Sequence, residues 1–114
     1  MFALRVFKEA ERLIIRLSGD LDESNADLIL KKLEDLASSG TKALLLDCQE
    51  LDYVSAAGLE ALERLYQHCV REKIPLVLYH LQARIRNIIE LAGLSPHLPI
   101  ARSKKDAWAF AALP

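Results

Sequence analysis

Four consecutive apolar residues, Ala43-Leu44-Leu45-Leu46, sit between Lys42 and Asp47. The run is too short for a helix and does not alternate as a strand with one wet face must, so it predicts a strand covered on both sides. Such a strand needs one layer of structure above it and another below. In a chain of 114 residues, the size of one domain, that requirement points to helices packed on a mostly parallel sheet.

The rest of the chain supplies the pieces. Phe2 to Val6 and Arg12 to Leu17 are short β-branched and aromatic stretches separated by Glu9-Ala10-Glu11, as a hairpin requires. Residues 18–25, Ser-Gly-Asp-Leu-Asp-Glu-Ser-Asn, form a turn-rich segment in which Ser24 and Asp27 approximate a capping box. Ala26, Ile29, Leu30, Leu33 and Ala37 then recur at helical spacing, with Lys31, Lys32, Glu34 and Asp35 opposite, until Ser38-Ser39-Gly40 ends the helix. After the central strand, Leu59, Leu62, Leu65, Tyr66 and Cys69 make a second stripe, and Glu60 with Arg64 is spaced for an i,i+4 ion pair.

Pro75 introduces a second buried strand, Leu76 to Tyr79. Ala83, Ile85, Ile88, Ile89 and Ala92 form a third helical stripe, with Gly93 placed for a left-handed cap. Pro96 and Pro99 bracket a loop or short edge strand near Leu98-Pro99-Ile100, and Asp106 to Ala112 is a last short helix. Trp108 in that helix is expected to pack over the sheet edge. The order is strand, strand, helix, strand, helix, strand, helix, short strand, helix, so the expected class is α/β, a mostly parallel sheet carrying one antiparallel hairpin strand.

Several functions are disfavoured at this level. Fifteen Lys and Arg against 16 Asp and Glu leave a formal net charge of -1, which gives no bulk attraction to nucleic acid or anionic lipid. The N-terminus carries charge early and lacks the apolar stretch of a secretory signal, and no run approaches a membrane span, so the expected setting is the cytosol without membrane insertion. Cys48 and Cys69 are far apart and lack metal or dithiol spacing, so buried free thiols are expected. His68, His80 and His97 share no ligand spacing, Asp47 and Asp52 fit turn and cap roles, and Arg84 and Arg86 are either solvated or beside a partner surface. Neither an enzyme nor a phosphate cradle is indicated, and no cofactor or metal is implied.

What remains is the change of character at Ser55-Ala56-Ala57-Gly58, where the chain enters its second helix at the carboxyl end of a strand. Helix N-terminal amides are unpaired and partly positive, so a phosphorylated hydroxyl there would be favoured by roughly 0.3 to 1 kcal/mol per interaction. The same residues suit a simple N-cap, Ser55 accepting a bond from an amide two or three residues on and Gly58 present for close packing or backbone freedom.

Three segments together resemble the STAS domain family (sulfate transporter and anti-sigma factor antagonist), in particular its single-domain bacterial anti-sigma factor antagonists. LIIRLSGDLDESNADLILKKL is similar to the family's strand, acidic turn and first helix; KALLLDCQELDYVSAAGLEALERLYQHC to its central strand, switch loop and second helix; IRNIIELAGL to its third helix and closing Gly-Leu. The resemblance implies a single STAS domain over residues 1–114, with four to five strands in a mixed sheet and about four helices. It implies a protein-binding regulator, monomeric in solution, whose partner is a histidine-kinase-like ATPase anti-sigma factor. It also implies that Asp22, Ser55, Ala56, Ala57, Gly58 and Leu59 lie at the partner surface.

One departure stands out. The family's common loop is Asp-Ser-(Ser/Thr/Ala)-Gly-Leu, with phosphate on the Ser after the Asp; aligned on Gly58-Leu59, the acceptor position holds Ala56. Either the chain binds its partner in a permanently unphosphorylated form, or Ser55 is a displaced acceptor. The alternative function within the family is an accessory subunit of an ABC-type lipid transport complex.

Overall fold

The computed structural model describes residues 2–38, 40–94 and 98–111. Its elements run β1 (Phe2–Glu9), β2 (Arg12–Leu21), α1 (Ala26–Leu36), β3 (Ala43–Val54), α2 (Ala56–Glu72), β4 (Leu76–Tyr79), α3 (Ala83–Leu91), β5 (Ile100–Ala101) and α4 (Lys104–Ala111). The strands form one five-stranded sheet in chain order. β1 is antiparallel to β2, and β2 through β5 pair parallel. This is the mixed α/β sheet with four helices that the sequence implies.

Leu44, Leu45 and Leu46 in the central β3 are wholly inaccessible, as an apolar run without alternation requires. Alternation then sorts their neighbours between two layers. Leu44, Leu46, Cys48, Leu51 and Val54 join the large core, together with Ile29 and Leu33 of α1, Leu62 and Leu65 of α2, and Ile85 and Ile89 of α3. Ala43 and Leu45 face a smaller cluster with Ile14, Val77, Tyr79 and Ala107, to which α4 also contributes Ala111. Trp108 packs against this second cluster, over the middle strands rather than the edge, with the Arg12 guanidinium 4.6 Å from its ring centroid.

Three expectations need correction. β2 does not stop at Leu17 but continues through Ser18, Gly19 and Asp20 to Leu21, which is buried. The residues there have turn chemistry, and they stay in the sheet because shifts in the β2–β3 register accommodate them. β3 likewise runs on to Val54, so Asp47 and Asp52 are strand residues rather than turn or cap residues. The β2–β3 register shifts twice, between Arg16 and Ser18 and between Gly19 and Asp20, and each time β3 carries the extra residue.

The third correction concerns α1. Ser24 does not bond with Asp27; its N–H and hydroxyl both donate to Asp22 Oδ1, at 2.9 and 2.6 Å, and Asn25 is the N-cap residue. The α3 stripe narrows to Ile85 and Ile89, Ala83 and Ala92 being exposed. Gly93, at φ +77°, closes α3 as expected: its N–H bonds Glu90 O and the Leu94 N–H bonds Ile89 O. Ser39, Pro96, His97 and Ala112 lie outside the described residues.

Candidate functional site

β2 and β3 lie side by side and end side by side, and each feeds a helix on the same face of the sheet. At the end of β3 there is no loop. Val54 is the last strand residue, Ser55 is the N-cap, and Ala56 opens α2. Ser55 keeps an extended backbone (φ -82°, ψ 178°), and its Oγ accepts the Gly58 N–H at 3.2 Å. Its own N–H donates to Leu21 O at 2.9 Å, which ties the start of α2 to the last residue of β2.

That tie explains Gly58. A Cβ there would stand 2.5 Å from Leu21 O and 2.9 Å from Val54 Cγ1, so the first turn of α2 can lie this close to the strand ends only without a side chain. The next residue, Leu59, is half-buried against the large core. Ala57 is also half-buried, whereas Ala56 is exposed and Ser55 retains only 7% of its accessible surface. Ala56 therefore faces solvent, and the Ser55 hydroxyl beside it is turned inward.

The end of β2 is built differently. Asp22 follows Leu21 directly, so its loop adjoins the same junction. The Asn25 side chain holds this loop, accepting the Asp22 N–H at 3.0 Å and donating to Asp20 O at 2.9 Å. Hydrogen bonds from the Ser24 hydroxyl and then its N–H hold the Asp22 carboxyl below its ordinary 3.8. Asp22 is thus a fixed, ionised carboxylate at neutral pH.

Two features here were not legible in the sequence. A groove of about 240 Å³ opens between α1 and α2, lined by Asp27, Leu30, Ala57, Glu60, Ala61 and Arg64. The expected Glu60–Arg64 pair forms at 2.7 Å along its wall. Secondly, α3 secures the end of β3: the Gln82 amide donates to Leu51 O at 2.9 Å and Arg84 Nη2 to Asp52 O at 2.6 Å. Arg84, expected to be solvated or beside a partner, is engaged with that backbone.

Cys48 and Cys69 are buried free thiols, as expected. Burial pushes both thiols up, Cys69 to about 12, so neither supplies a thiolate nucleophile at neutral pH. Among the described residues no three His, Cys, Asp or Glu gather as a metal site would, and no helix is long and apolar enough to cross a membrane.

Fold and junction together define a small α/β module that presents a shaped surface. The chain belongs to the STAS domain family, matched over residues 3–107. It is 30% identical over 97 residues to BtrV of Bordetella bronchiseptica, described as an anti-sigma factor antagonist, and the match spans 85% of this chain and 84% of that one. Two solved structures share the fold. A Thermotoga maritima protein, described as an anti-sigma factor antagonist, superposes with a TM-score of 0.88 at 14% identity, covering 96% of this chain and 95% of the other. The Bacillus cell fate determinant SpoIIAA in its phosphorylated form gives 0.68 at 19%, covering 96% and 97%. Sequence and fold are those of an anti-sigma-factor-antagonist-like STAS domain.

Proposed function

We propose that this chain is a partner-switching antagonist that binds a histidine-kinase-like anti-sigma factor through the β3–α2 junction and the adjoining Asp22 loop, and that it lacks the phosphate-dependent off-state. The observation carrying this reading is the division of labour at the junction. Ala56, at the acceptor position, is exposed but has no hydroxyl, while the Ser55 hydroxyl is buried and spent on the Gly58 N–H. For a kinase to use Ser55, that hydroxyl would have to leave the cap and the residue come out of its buried setting.

A phosphate brings roughly -1.5 to -2 charges at neutral pH, and at an interface of small apolar groups it adds repulsion and desolvation cost. The partner surface here, Ser55, Ala56, Ala57, Gly58 and Leu59 with Asp22 beside them, has no basic side chain of its own to offset such a charge. Removing the acceptor therefore leaves the antagonist permanently competent to bind.

The test uses the purified histidine-kinase-like anti-sigma factor of the same cells. The native chain and Ala56→Ser bind it, Ala56→Asp binds at least about tenfold more weakly, and with ATP only Ala56→Ser acquires phosphate. Phosphate on Ser55 of the native chain would reverse the assignment of the acceptor. Failure to bind any such ATPase, with capture of ABC-transporter subunits regardless of the residue at 56, would replace the antagonist reading with a transport role.

A further inference from the structure

On the opposite face of the sheet, where α4 leaves β1 to β3 partly uncovered, lies a cleft of about 290 Å³. We propose that this cleft is a second binding site, for a small monocarboxylate with an apolar or aromatic body. The volume is near the lower end of small-molecule pockets, roughly 300 to 1,000 Å³.

Its floor is a buried carboxylate whose bonds are already made. Asp47, 4% exposed on the central strand, accepts Arg16 Nε at 3.1 Å on Oδ2 and the Gln49 N–H at 3.1 Å on Oδ1. Asp47 therefore orients the Arg16 guanidinium by one corner. Its two terminal amino groups have no protein partner among the described residues, and the group lies 5.8 Å from the Phe7 ring centroid. A planar fork held by a third group and set beside an aromatic ring suits bidentate recognition of a carboxylate.

His80 adds a second unspent group. It follows the last residue of β4 with a left-handed backbone, φ +58°, and its Nδ1 is enclosed without any hydrogen-bond partner. Asp47 Oδ1 is 3.8 Å away, too far to serve. An enclosed polar nitrogen without a partner is costly, so a turn of the partly exposed ring that brings Nδ1–H to a ligand oxygen in the cleft would be favoured.

The charges decide the ligand class. Glu9 and Lys104 pair across the rim at 3.5 Å, and Asp47 balances Arg16, so the lining offers no net field to draw in a multiply charged phosphate. What it offers is a short set of N–H donors beside the apolar Phe7 and Ile14. One carboxylate on the donors with an apolar body over those two side chains uses both parts of the cleft.

The experiment is a two-dimensional amide and guanidinium NMR titration of the full chain with sodium benzoate, with benzylammonium and inorganic phosphate in parallel. Saturable shifts at Phe7, Arg16, Gln49 and His80 with millimolar benzoate, absent with benzylammonium and weaker with phosphate, support the site. Arg16→Lys keeps the charge and a partner for Asp47 but loses the fork, so it weakens benzoate binding by about fivefold or more. His80→Gly, which accepts the left-handed backbone, weakens binding by a smaller factor, and Ala56→Asp, on the other face, leaves it unchanged. The proposal is overturned by the absence of saturable shifts at these residues, by phosphate matching benzoate, or by a folded Arg16→Lys that binds like the native chain.

Discussion

Two neighbouring strands hand the chain over to a helix in opposite ways. At the end of β3 the helix begins at once, through Ser55, and the junction is held by backbone contact: Ser55 N–H on Leu21 O, and Gly58 pressed against that same carbonyl. At the end of β2, residues 22–25 intervene, and side chains hold them, Asn25 on two backbone groups and Ser24 on Asp22. The first junction is neutral and has no room for a side chain at Gly58; the second is acidic and depends on polar side chains. Together they place a rigid apolar patch beside a fixed carboxylate, and each half should fail in its own manner.

The largest effect is expected at Gly58. In Gly58→Ala the new methyl meets a backbone carbonyl, which cannot rotate away as a side chain can, and overpacking costs typically 1 to 3 kcal/mol. We expect about 3 kcal/mol by urea denaturation, with trimming of Leu21 to Ala giving no rescue, because the nearest obstacle is its carbonyl oxygen. A cost below about 1 kcal/mol would mean that the two strand ends can part easily and that the contrast between the junctions is weaker than it looks.

Asn25→Ala comes next. It removes two hydrogen bonds, each contributing roughly 0.5 to 1.5 kcal/mol, so a loss of about 1 to 2 kcal/mol is expected. Ser55→Ala removes one cap bond and should cost about 1 kcal/mol. The order of the two is informative: a larger loss at Ser55 than at Asn25 would show that the β3 junction also depends on its side-chain bond.

How far this was visible in the sequence follows the same division. Ser55 to Leu59 are consecutive, so a strand running into small residues and then a helical stripe marks the junction without knowledge of the fold. The reason for Gly58 was not visible, since the atom it avoids belongs to Leu21, on another strand. The two core strands were legible because Leu44 to Leu46 and Leu76 to Tyr79 are apolar throughout. The extension of β2 was not: Ser18, Gly19 and Asp20 have turn chemistry, and their strand pairing depends on two register shifts supplied by β3. Asp47 was misjudged for a related reason, its partner Arg16 being 31 residues away. The second cleft brings Phe7 and Lys104 together from opposite ends of the chain, beyond the reach of local pattern.

The smallest effect tests the acidic half without disturbing the fold. Ser24→Ala removes the hydroxyl bond that contributes most to lowering the Asp22 carboxyl and leaves the backbone N–H bond in place. NMR titration of the Asp22 side chain should then show its pKa rising part of the way back toward 3.8. The sign for stability follows from linkage. A carboxyl lower in the folded chain than in the unfolded one stabilises the fold above its unfolded value, and that contribution is lost as pH falls through the folded value. The variant should therefore match the native chain in the dependence of stability on pH above about 5 and differ only in the acid limb, where its contribution is smaller. Asp22 remains ionised at neutral pH in both, so binding of the anti-sigma factor should be unchanged if the partner reads only the charge. Weaker binding by Ser24→Ala at neutral pH would instead show that the partner depends on the orientation Ser24 gives the carboxylate and not on its charge alone.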